Sequence, residues 1–299
     1  NESANSSEVS AAPGFYKGWV FAWNPVAYWP LNETAGNIAI DLVRGSNGVL
    51  AGGFSRNFNG PVGAGFGTPH RATHFDGATG YTQLPLLIGS TNFTIVFWVQ
   101  TTATGGTPNW YNGKGLVDGE VVGAVNDFGI ALVGAKVGFG IGNPDTTLTS
   151  VKSINNNVWH QVAATWDAGN GAMKLFIDGA LDASGTGPTG ARTAPPSLRV
   201  ASIQTAGNYL LGNISDIAMY DQVLSSNQVA TLYSAASGLF YNITLTNSWS
   251  SGHLVLNWPG NGKLLEATNL TGPWTTNNSV APVTVVPSLP QRFYRVQTR

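Results

Sequence analysis

Residues 158–179 read VWHQVAATWDAGNGAMKLFIDG, and this stretch decides the fold class of the chain. In its first half, apolar residues recur with the two-residue period of a half-buried strand, at Val158, Val162, Ala164 and Trp166. A turn-forming run at 167–171 precedes a second alternating stretch over 173–177, and Asp-Gly at 178–179 is the signature of a type I′ turn. The pattern predicts a β-hairpin from the middle of an antiparallel sandwich.

The same signals recur along the chain and predict an all-β protein with one helix. Short strands are expected at intervals of roughly ten residues, as in a sandwich or barrel, over 92–100, 128–133, 136–141, 198–203 and 208–220. The aromatic-rich stretch 15–31 is predicted to be a first edge strand that Pro25 interrupts. Ser225 and Gln228 form a capping box for the predicted helix, which Gly238 ends.

Composition divides the chain into a polar tail and two β domains, over 1–14, 15–238 and 239–299. The tail is too polar to fold by itself, so we expect intramolecular packing or a neighbouring subunit to order it. The small C-terminal domain is predicted to contain a hairpin over 254–270 and a last strand at 291–296. Because roughly 60 residues are marginal for an independent sandwich, we expect this domain to lean on the first one or to borrow a strand.

Composition also excludes several classes of function. Only 10% of the residues are charged and the net charge is −1, so no basic surface is predicted and nucleic acid is not an expected partner. The absence of cysteine excludes disulfide and thiolate chemistry. The sequence contains no run of about 18 apolar residues, so no transmembrane helix is predicted. The sequence begins at Asn1 instead of Met, which favours a mature secreted chain over a trimmed one.

Besides the hairpin, four motifs follow one another along residues 15–238: PVAYWPLNETAG (25–36), DLVRGSNGVL (41–50), THFDGATGYTQLP (73–85) and NISDIAMYDQVLSSNQVATLY (213–233). Together with the hairpin they resemble the laminin-G-like jelly rolls, relatives of the concanavalin A lectins. The resemblance implies an antiparallel jelly-roll β-sandwich with one short helix, an extracellular location, and a role in binding or assembly. The segment 254–297 resembles small β domains at the C-termini of secreted bacterial proteins, which implies a bacterial source and a second, smaller β-sandwich-like domain.

No catalytic site is predicted, and the chain is interpreted as a non-enzyme. Glycosidases that share this architecture carry their acids as E-x-D-x-x-E, and retaining chemistry needs two carboxyl groups about 5 Å apart. The nearest match, Asp118-Gly119-Glu120, lacks the third acid and is interpreted as a solvated turn. The four histidines lack the spacing of a zinc motif: His70, His74, His160 and His253. His160 is expected to face outward or to form a hydrogen bond across its sheet.

The resemblance also implies one structural Ca²⁺, because the family often holds such an ion between an early Asp loop and the closing strand. Calcium takes roughly six to eight oxygen ligands. Asp41, Asn47 and the carbonyl of Gly48 would supply one side of this site, and Asp216 the other. The alternative is that Asp41 caps its own turn and Asp216 faces solvent.

A sugar site needs an aromatic platform beside hydrogen-bonding side chains on a concave surface. The Gly- and Pro-rich loop 103–115 offers four candidate ligand-binding residues: Asn109, Trp110, Tyr111 and Asn112. The alternative is that the aromatic pair of this loop plugs an edge of the sandwich.

Two non-enzymatic functions remain open. The leading hypothesis is a secreted structural or adhesive subunit that self-assembles with other copies into an extracellular filament or surface layer. In this hypothesis the tail adds as a strand to a sheet edge of another copy, and such head-to-tail contacts generate a filament. The alternative is a lectin-like module that binds glycans, which the fold and loop residues 109–112 favour.

Overall fold

The structure is a computed structural model that describes residues 16–67, 69–205, 207–237, 245–250, 253–258, 263–286 and 291–297. These residues divide into two compact units, a large one over 16–237 and a small one over 245–297. The polar tail over 1–14 and the predicted helix end at Gly238 lie outside the described residues. Within the described parts of the chain, no helix is both long enough and apolar enough to cross a membrane.

The large unit consists mainly of strands, as the sequence predicts. Its α-helices are α1 (Tyr16–Ala22) and α2 (Ser226–Ser237), and turns of 3-10 helix lie at Ala64–Phe66 and Trp110–Asn112. Its strands are, in chain order, β1 (Ala27–Trp29), β2 (Ile38–Ala39), β3 (Gly48–Ala51), β4 (Phe54–Asn59), β5 (Arg71–Asp76), β6 (Tyr81–Leu84), β7 (Phe93–Thr101), β8 (Lys114–Asp118), β9 (Phe128–Val133), β10 (Lys136–Ile141), β11 (Thr146–Ser153), β12 (His160–Trp166), β13 (Ala172–Ile177), β14 (Ala180–Thr186), β15 (Leu198–Val200) and β16 (Leu211–Tyr220).

Two antiparallel sheets form the sandwich. Sheet I has the order β14-β13-β12-β7-β16-β5-β4, and β1 also pairs with β16. Sheet II has the order β11-β10-β9-β8-β15-β6-β3-β2. One buried cluster fills the space between the sheets, with Phe97 and Val162 from sheet I and Phe128, Ile130 and Phe139 from sheet II. The jelly-roll prediction is therefore confirmed.

The hairpin over 158–179 is confirmed in detail. Strands β12 and β13 pair from Val162 opposite Ile177 to Trp166 opposite Met173. Asp178 and Gly179 have φ angles of 54° and 78°, as a type I′ turn requires. Val158 is an exception to the prediction, because it precedes β12 and is exposed.

The stretch 15–31 is not a single edge strand, and that prediction is wrong. Residues 16–22 form α1, which buries Tyr16 and Val20, four residues apart, on one helical face. The aromatic content of this stretch suggests a strand, but the spacing of its buried side chains is helical. Helix α1 ends at Ala22, before Pro25, and β1 begins after that proline, at Ala27. The capping box of α2 is confirmed, because Ser225 N donates to Gln228 Oε1 (2.8 Å) and Gln228 N donates to Ser225 Oγ (3.3 Å).

The small unit consists of two three-stranded sheets in its described part. Its strands are β17 (Thr246–Ser250), β18 (His253–Asn257), β19 (Lys263–Ala267), β20 (Thr275–Asn277), β21 (Val283–Val285) and β22 (Phe293–Gln297). The sheet orders are β17-β18-β21 and β20-β19-β22, so the last predicted strand is confirmed. The predicted hairpin over 254–270 is wrong, because β18 and β19 pair in different sheets and not with each other.

Candidate functional site

An open cavity of about 380 Å³ lies on the outer face of sheet I, beside α2. It is lined by Pro61, Val62, Trp98, Gln100, Asn157, Val158, Trp159, Tyr233, Ala236 and Ser237. All ten lining residues are uncharged, and three of them are aromatic. The cavity therefore suits a neutral ligand that combines apolar faces with hydrogen-bonding groups.

Two of the lining side chains come from β7, whose side chains alternate between the two faces of sheet I. Phe97 and Val99 point into the core, so Trp98 and Gln100 point to the opposite face of sheet I. Tyr233 comes from α2, and its ring stacks on Trp98 with centroids 5.8 Å apart and an interplanar angle of 16°. Trp98 is further fixed by an edge-on contact with Phe66, at 5.5 Å between centroids. The aromatic wall is thus held by packing before any ligand arrives.

A series of connected hydrogen bonds fixes the side-chain amide of Gln100. Its Nε2 donates to the carbonyl of Asn157 (2.9 Å), and its Oε1 accepts from Nδ2 of Asn213 (2.9 Å). Asn213 in turn pairs its Oδ1 with Nδ1 of His74 at 2.8 Å. A glutamine amide has two N–H donors and two acceptor lone pairs, so one donor and one lone pair of Gln100 remain for a ligand.

His160 positions the loop that carries Asn157 and Trp159. Its Nδ1 lies 2.8 Å from Oδ2 of Asp178, and its Nε2 lies 2.9 Å from Oδ1 of Asn156. Burial alone would raise the pKa of Asp178, but the hydrogen bonds from His160 and Lys152 hold it below its ordinary value. Of the two expectations for His160, the hydrogen bond across the strands is the one observed. Its role is structural.

The predicted ligand loop does not present its tryptophan to solvent. Trp110 is fully buried, and it packs against Gly129 and Gly140 on the outer face of sheet II, where a methyl group on Gly140 would overlap its indole ring. Asn109 and Tyr111 bond to each other, with Asn109 Nδ2 donating to the Tyr111 hydroxyl at 2.7 Å. The prediction of a sugar platform at Trp110 is wrong, and this loop, with Asn112 exposed at its end, plugs the sheet instead.

The early Asp loop does not form the predicted calcium site. The carboxylate of Asp41 accepts four backbone N–H groups at 2.9–3.1 Å, from Tyr28, Val43, Arg44 and Ser46. These donors use the four lone-pair positions of an ionised carboxylate. Oδ1 of Asn47 accepts the N–H of Asp41 at 2.9 Å, and Gly48 begins β3. Asp41 therefore caps its own turn, as the alternative interpretation states.

Asp216 is far from solvent and does not face Asp41. Its Oδ1 accepts the hydroxyl of Tyr28 (2.5 Å), and its Oδ2 lies 2.7 Å from both His70 Nε2 and Ser215 Oγ. Asp41 and Asp216 thus lie at opposite ends of Tyr28, so the expected convergence on one cation is wrong. In the described part of the chain, no group of three or more His, Asp or Glu side chains could hold a metal. Calcium binding stays a prediction, without these residues as its ligands.

The Asp118-Gly119-Glu120 segment is not a solvated turn, and this interpretation is wrong. Asp118 is fully buried at the end of β8, where its Oδ2 accepts N–H groups of Gln204 (2.8 Å) and Glu120 (3.1 Å). Burial raises the pKa of Asp118 to about 7. Burial and the nearby Asp127 carboxylate raise the pKa of Glu120 to about 7, and burial raises that of Asp127 to about 6. The result is an acidic cluster in which Asp118 and Asp127 are buried and Glu120 is half-buried, and sequence spacing alone could not reveal it.

The laminin-G-type family model, described as the concanavalin A-like lectin/glucanases superfamily, matches residues 76–230. The chain is 31% identical over 102 residues to the sushi, von Willebrand factor type A, EGF and pentraxin domain-containing protein 1 of Rattus norvegicus. That match covers 31% of this chain but only 3% of the length of that relative.

Two solved structures illustrate the likeness in three dimensions. The binding domain of Paraclostridial mosquitocidal protein 1 has a TM-score of 0.56 at 11% identity, covering 90% of this chain and 69% of that one. Domain 4 of an extracellular arabinanase from Geobacillus stearothermophilus, in complex with arabinotriose, has a TM-score of 0.51 at 18% identity. This second match covers 70% of this chain and 98% of that one. At such identities the likeness shows a shared fold.

Proposed function

This chain belongs to the laminin-G-like family of the concanavalin A-like superfamily, and on that premise we propose that it is a non-catalytic module that binds a neutral glycan in the cavity beside Trp98 and Trp159. The observation that carries the proposal is the lining of the cavity, which combines aromatic rings with the amides of Gln100 and Asn157 and contains no charge. The fold is shared with an arabinanase domain whose structure contains arabinotriose.

The chemistry of a sugar matches this lining. One face of a sugar ring carries mainly C–H groups and packs on aromatic rings, while its hydroxyl groups both donate and accept hydrogen bonds. Trp159 lines the cavity and is only half-buried, so part of its indole is open to a ligand. The remaining donor and acceptor of Gln100 would bind hydroxyl groups of the ligand in the cavity.

Preorganisation favours binding by a small site of this kind. The stacking of Tyr233 on Trp98 and the hydrogen bonds of Gln100 already hold these side chains. A ligand therefore does not have to order them, and the entropic cost of immobilising side chains, about 0.5–1.5 kcal/mol each, is largely avoided.

The test is binding of the full chain to an array of neutral oligosaccharides that includes arabinotriose, followed by affinity measurement on the best ligand. Trp159→Ala is expected to weaken binding at least about tenfold, because the aromatic contact is lost. Trp249→Ala is the matched control, since Trp249 is a 68% exposed tryptophan of the small unit. Equal affinity of wild type and Trp159→Ala, with both folded by thermal melting, would refute the assignment of the cavity.

Self-association is the second candidate function, and exposed apolar side chains of the small unit favour it. Trp249, Leu270 and Val280 are 68%, 67% and 84% exposed, respectively. We infer that these residues promote assembly of copies into an extracellular layer or filament. Light scattering over a concentration series tests this, with wild type compared to Trp249→Ser and to a chain lacking residues 1–14. A chain that remains monomeric at high concentration excludes it.

An extracellular location is part of both proposals, and the laminin-G-like fold supports it because such domains are typical of extracellular proteins. Immunodetection in the medium and at the cell surface, compared with the cell lysate, checks this location. Exclusive recovery from the lysate would contradict it.

A further inference from the structure

A row of four side chains crosses the outer face of sheet II. The strand register places Ile38 opposite Val49, Val49 opposite Gln83, and Gln83 opposite Arg199. The chain neighbours of these residues belong to the core: Ala39, Leu50, Leu84, Leu198 and Val200. Because side chains alternate along a strand, the four members of the row face outward. Ile38 and Val49 are 43% and 46% exposed, so one end of the row is an accessible apolar surface.

Arg199 forms the other end of the row and is held in place by Tyr81. The guanidinium carbon lies 4.3 Å from the centroid of the Tyr81 ring. The ion pairs among the described residues use other cations, namely Arg56, His70, Lys152, His160 and Arg292. Arg199 is therefore an ordered cation that forms no ion pair in the described part of the chain, and stacking leaves the edge of its guanidinium group available.

The nearest acid in the register does not neutralise this cation. Asp118 lies opposite Arg199 on β8, but its side chain is fully buried. Its Oδ2 accepts the backbone N–H groups of Gln204 and Glu120. Burial raises the pKa of Asp118 to about 7, so at pH 6 its carboxyl is protonated and leaves the charge of the half-buried Arg199 uncompensated.

We propose that this row binds an acidic oligosaccharide, with a sugar carboxylate on Arg199 and an apolar sugar face on Val49. A planar guanidinium group matches a carboxylate through two parallel hydrogen bonds, and Gln83 lies between the two ends to bind hydroxyl groups. Neighbouring strands are about 4.8 Å apart, so Arg199 and Val49, two strands apart, are separated by about 10 Å. A short chain of sugar rings lying across the strands spans this distance. The site is on sheet II and is independent of the cavity on sheet I.

The probe is a galacturonate trisaccharide, and its fully methyl-esterified form is the ligand control because it has the same rings without the charges. Binding of both to the full chain is measured by isothermal titration calorimetry at pH 6, where Asp118 is protonated. The proposal expects the acid to bind at least about tenfold more tightly than the ester. Arg199→Gln should reduce affinity for the acid at least about tenfold, and Arg199→Lys should restore only part of it, because lysine keeps the charge but loses the planar fork.

Arg295→Gln is the matched protein control. Arg295 belongs to the small unit and stacks on Trp274 at the same 4.3 Å distance, so this variant removes an equivalent charge elsewhere. It should bind the acid as wild type does, and so should Trp159→Ala. The proposal is overturned if the acid does not bind or if the acid and the ester bind equally. It is also overturned if Arg199→Gln and Arg295→Gln lose equal amounts of affinity for the acid. Because Trp159→Ala tests the other site, failure of either site is seen separately.

Discussion

Replacing Asp118 by Asn should make the large unit more stable at neutral pH and flatten its dependence on pH. Asp118 is fully buried, and burial raises its pKa from 3.8 to about 7. Well below pH 4 the carboxyl is protonated in both the folded and unfolded states. Between pH 4 and pH 7 the folded state holds the proton and the unfolded state releases it, so the free energy of unfolding falls as pH rises.

The size of the effect follows from the same pKa values. Each pH unit of this interval is worth about 1.4 kcal/mol for one group, so ionisation of Asp118 costs the folded state about 4 kcal/mol by pH 8. Glu120 and Asp127 have raised pKa values and contribute in the same direction. Asn is uncharged, and its side-chain oxygen can still accept the N–H groups of Gln204 and Glu120. The variant should therefore match wild type near pH 4 and exceed it at pH 8, by roughly 10 °C in melting temperature.

The assay is thermal unfolding by circular dichroism from pH 4 to pH 8. Asp221→Asn is the matched control, because Asp221 is exposed and its removal changes net charge equally. The control should keep the slope of wild type. An Asp118→Asn variant with the wild-type slope, or with lower stability than wild type at pH 8, would refute the account of the buried acidic cluster.

Two further changes test the local packing. Gly140→Ala should cost about 1–3 kcal/mol in urea unfolding, because the added methyl group overlaps the indole of Trp110. Gly18→Ala is the control, because its added methyl group meets nothing within 4 Å, and it should not lower the unfolding midpoint. An unchanged unfolding midpoint for Gly140→Ala would contradict the packing. Asp41→Ala should lower the melting temperature by the same amount in calcium and in chelator, because it removes the acceptor of four backbone N–H groups and not a metal ligand. A loss seen only in calcium would restore the calcium interpretation.

Much of the sandwich is predictable because its signals are local. The 158–179 hairpin carries its alternation and its turn residues in one short segment, and Asp178 and Gly179 adopt the φ angles that this turn needs. The segment 254–270 looks similar, yet its strands pair with distant partners in two sheets. Local alternation identifies strands, but partner choice depends on the packing of the whole unit.

The functional residues were harder to predict because they come from separate segments. Trp98 could have been recognised, since it lies out of phase with Phe97 and Val99 of the core. Its partners come from the loop before β12 and from α2, which no spacing in the sequence joins. The Gly- and Pro-rich surroundings of Trp110 suggest an exposed loop, but the glycines of β9 and β10 open a groove that buries it. The burial of Asp118 could not be predicted either, because it depends on segments that are distant from Asp118 in the sequence.

The most direct test of the central claim is an NMR titration of the full chain with the tightest neutral oligosaccharide from the array. The indole N–H of Trp159, assigned by its loss in Trp159→Phe, and the side-chain amide of Gln100 are the reporters. If a neutral glycan binds in the cavity, both signals shift and saturate together at one affinity, while the indole signal of the buried Trp110 does not move. Saturating shifts confined to residues outside the cavity would contradict it.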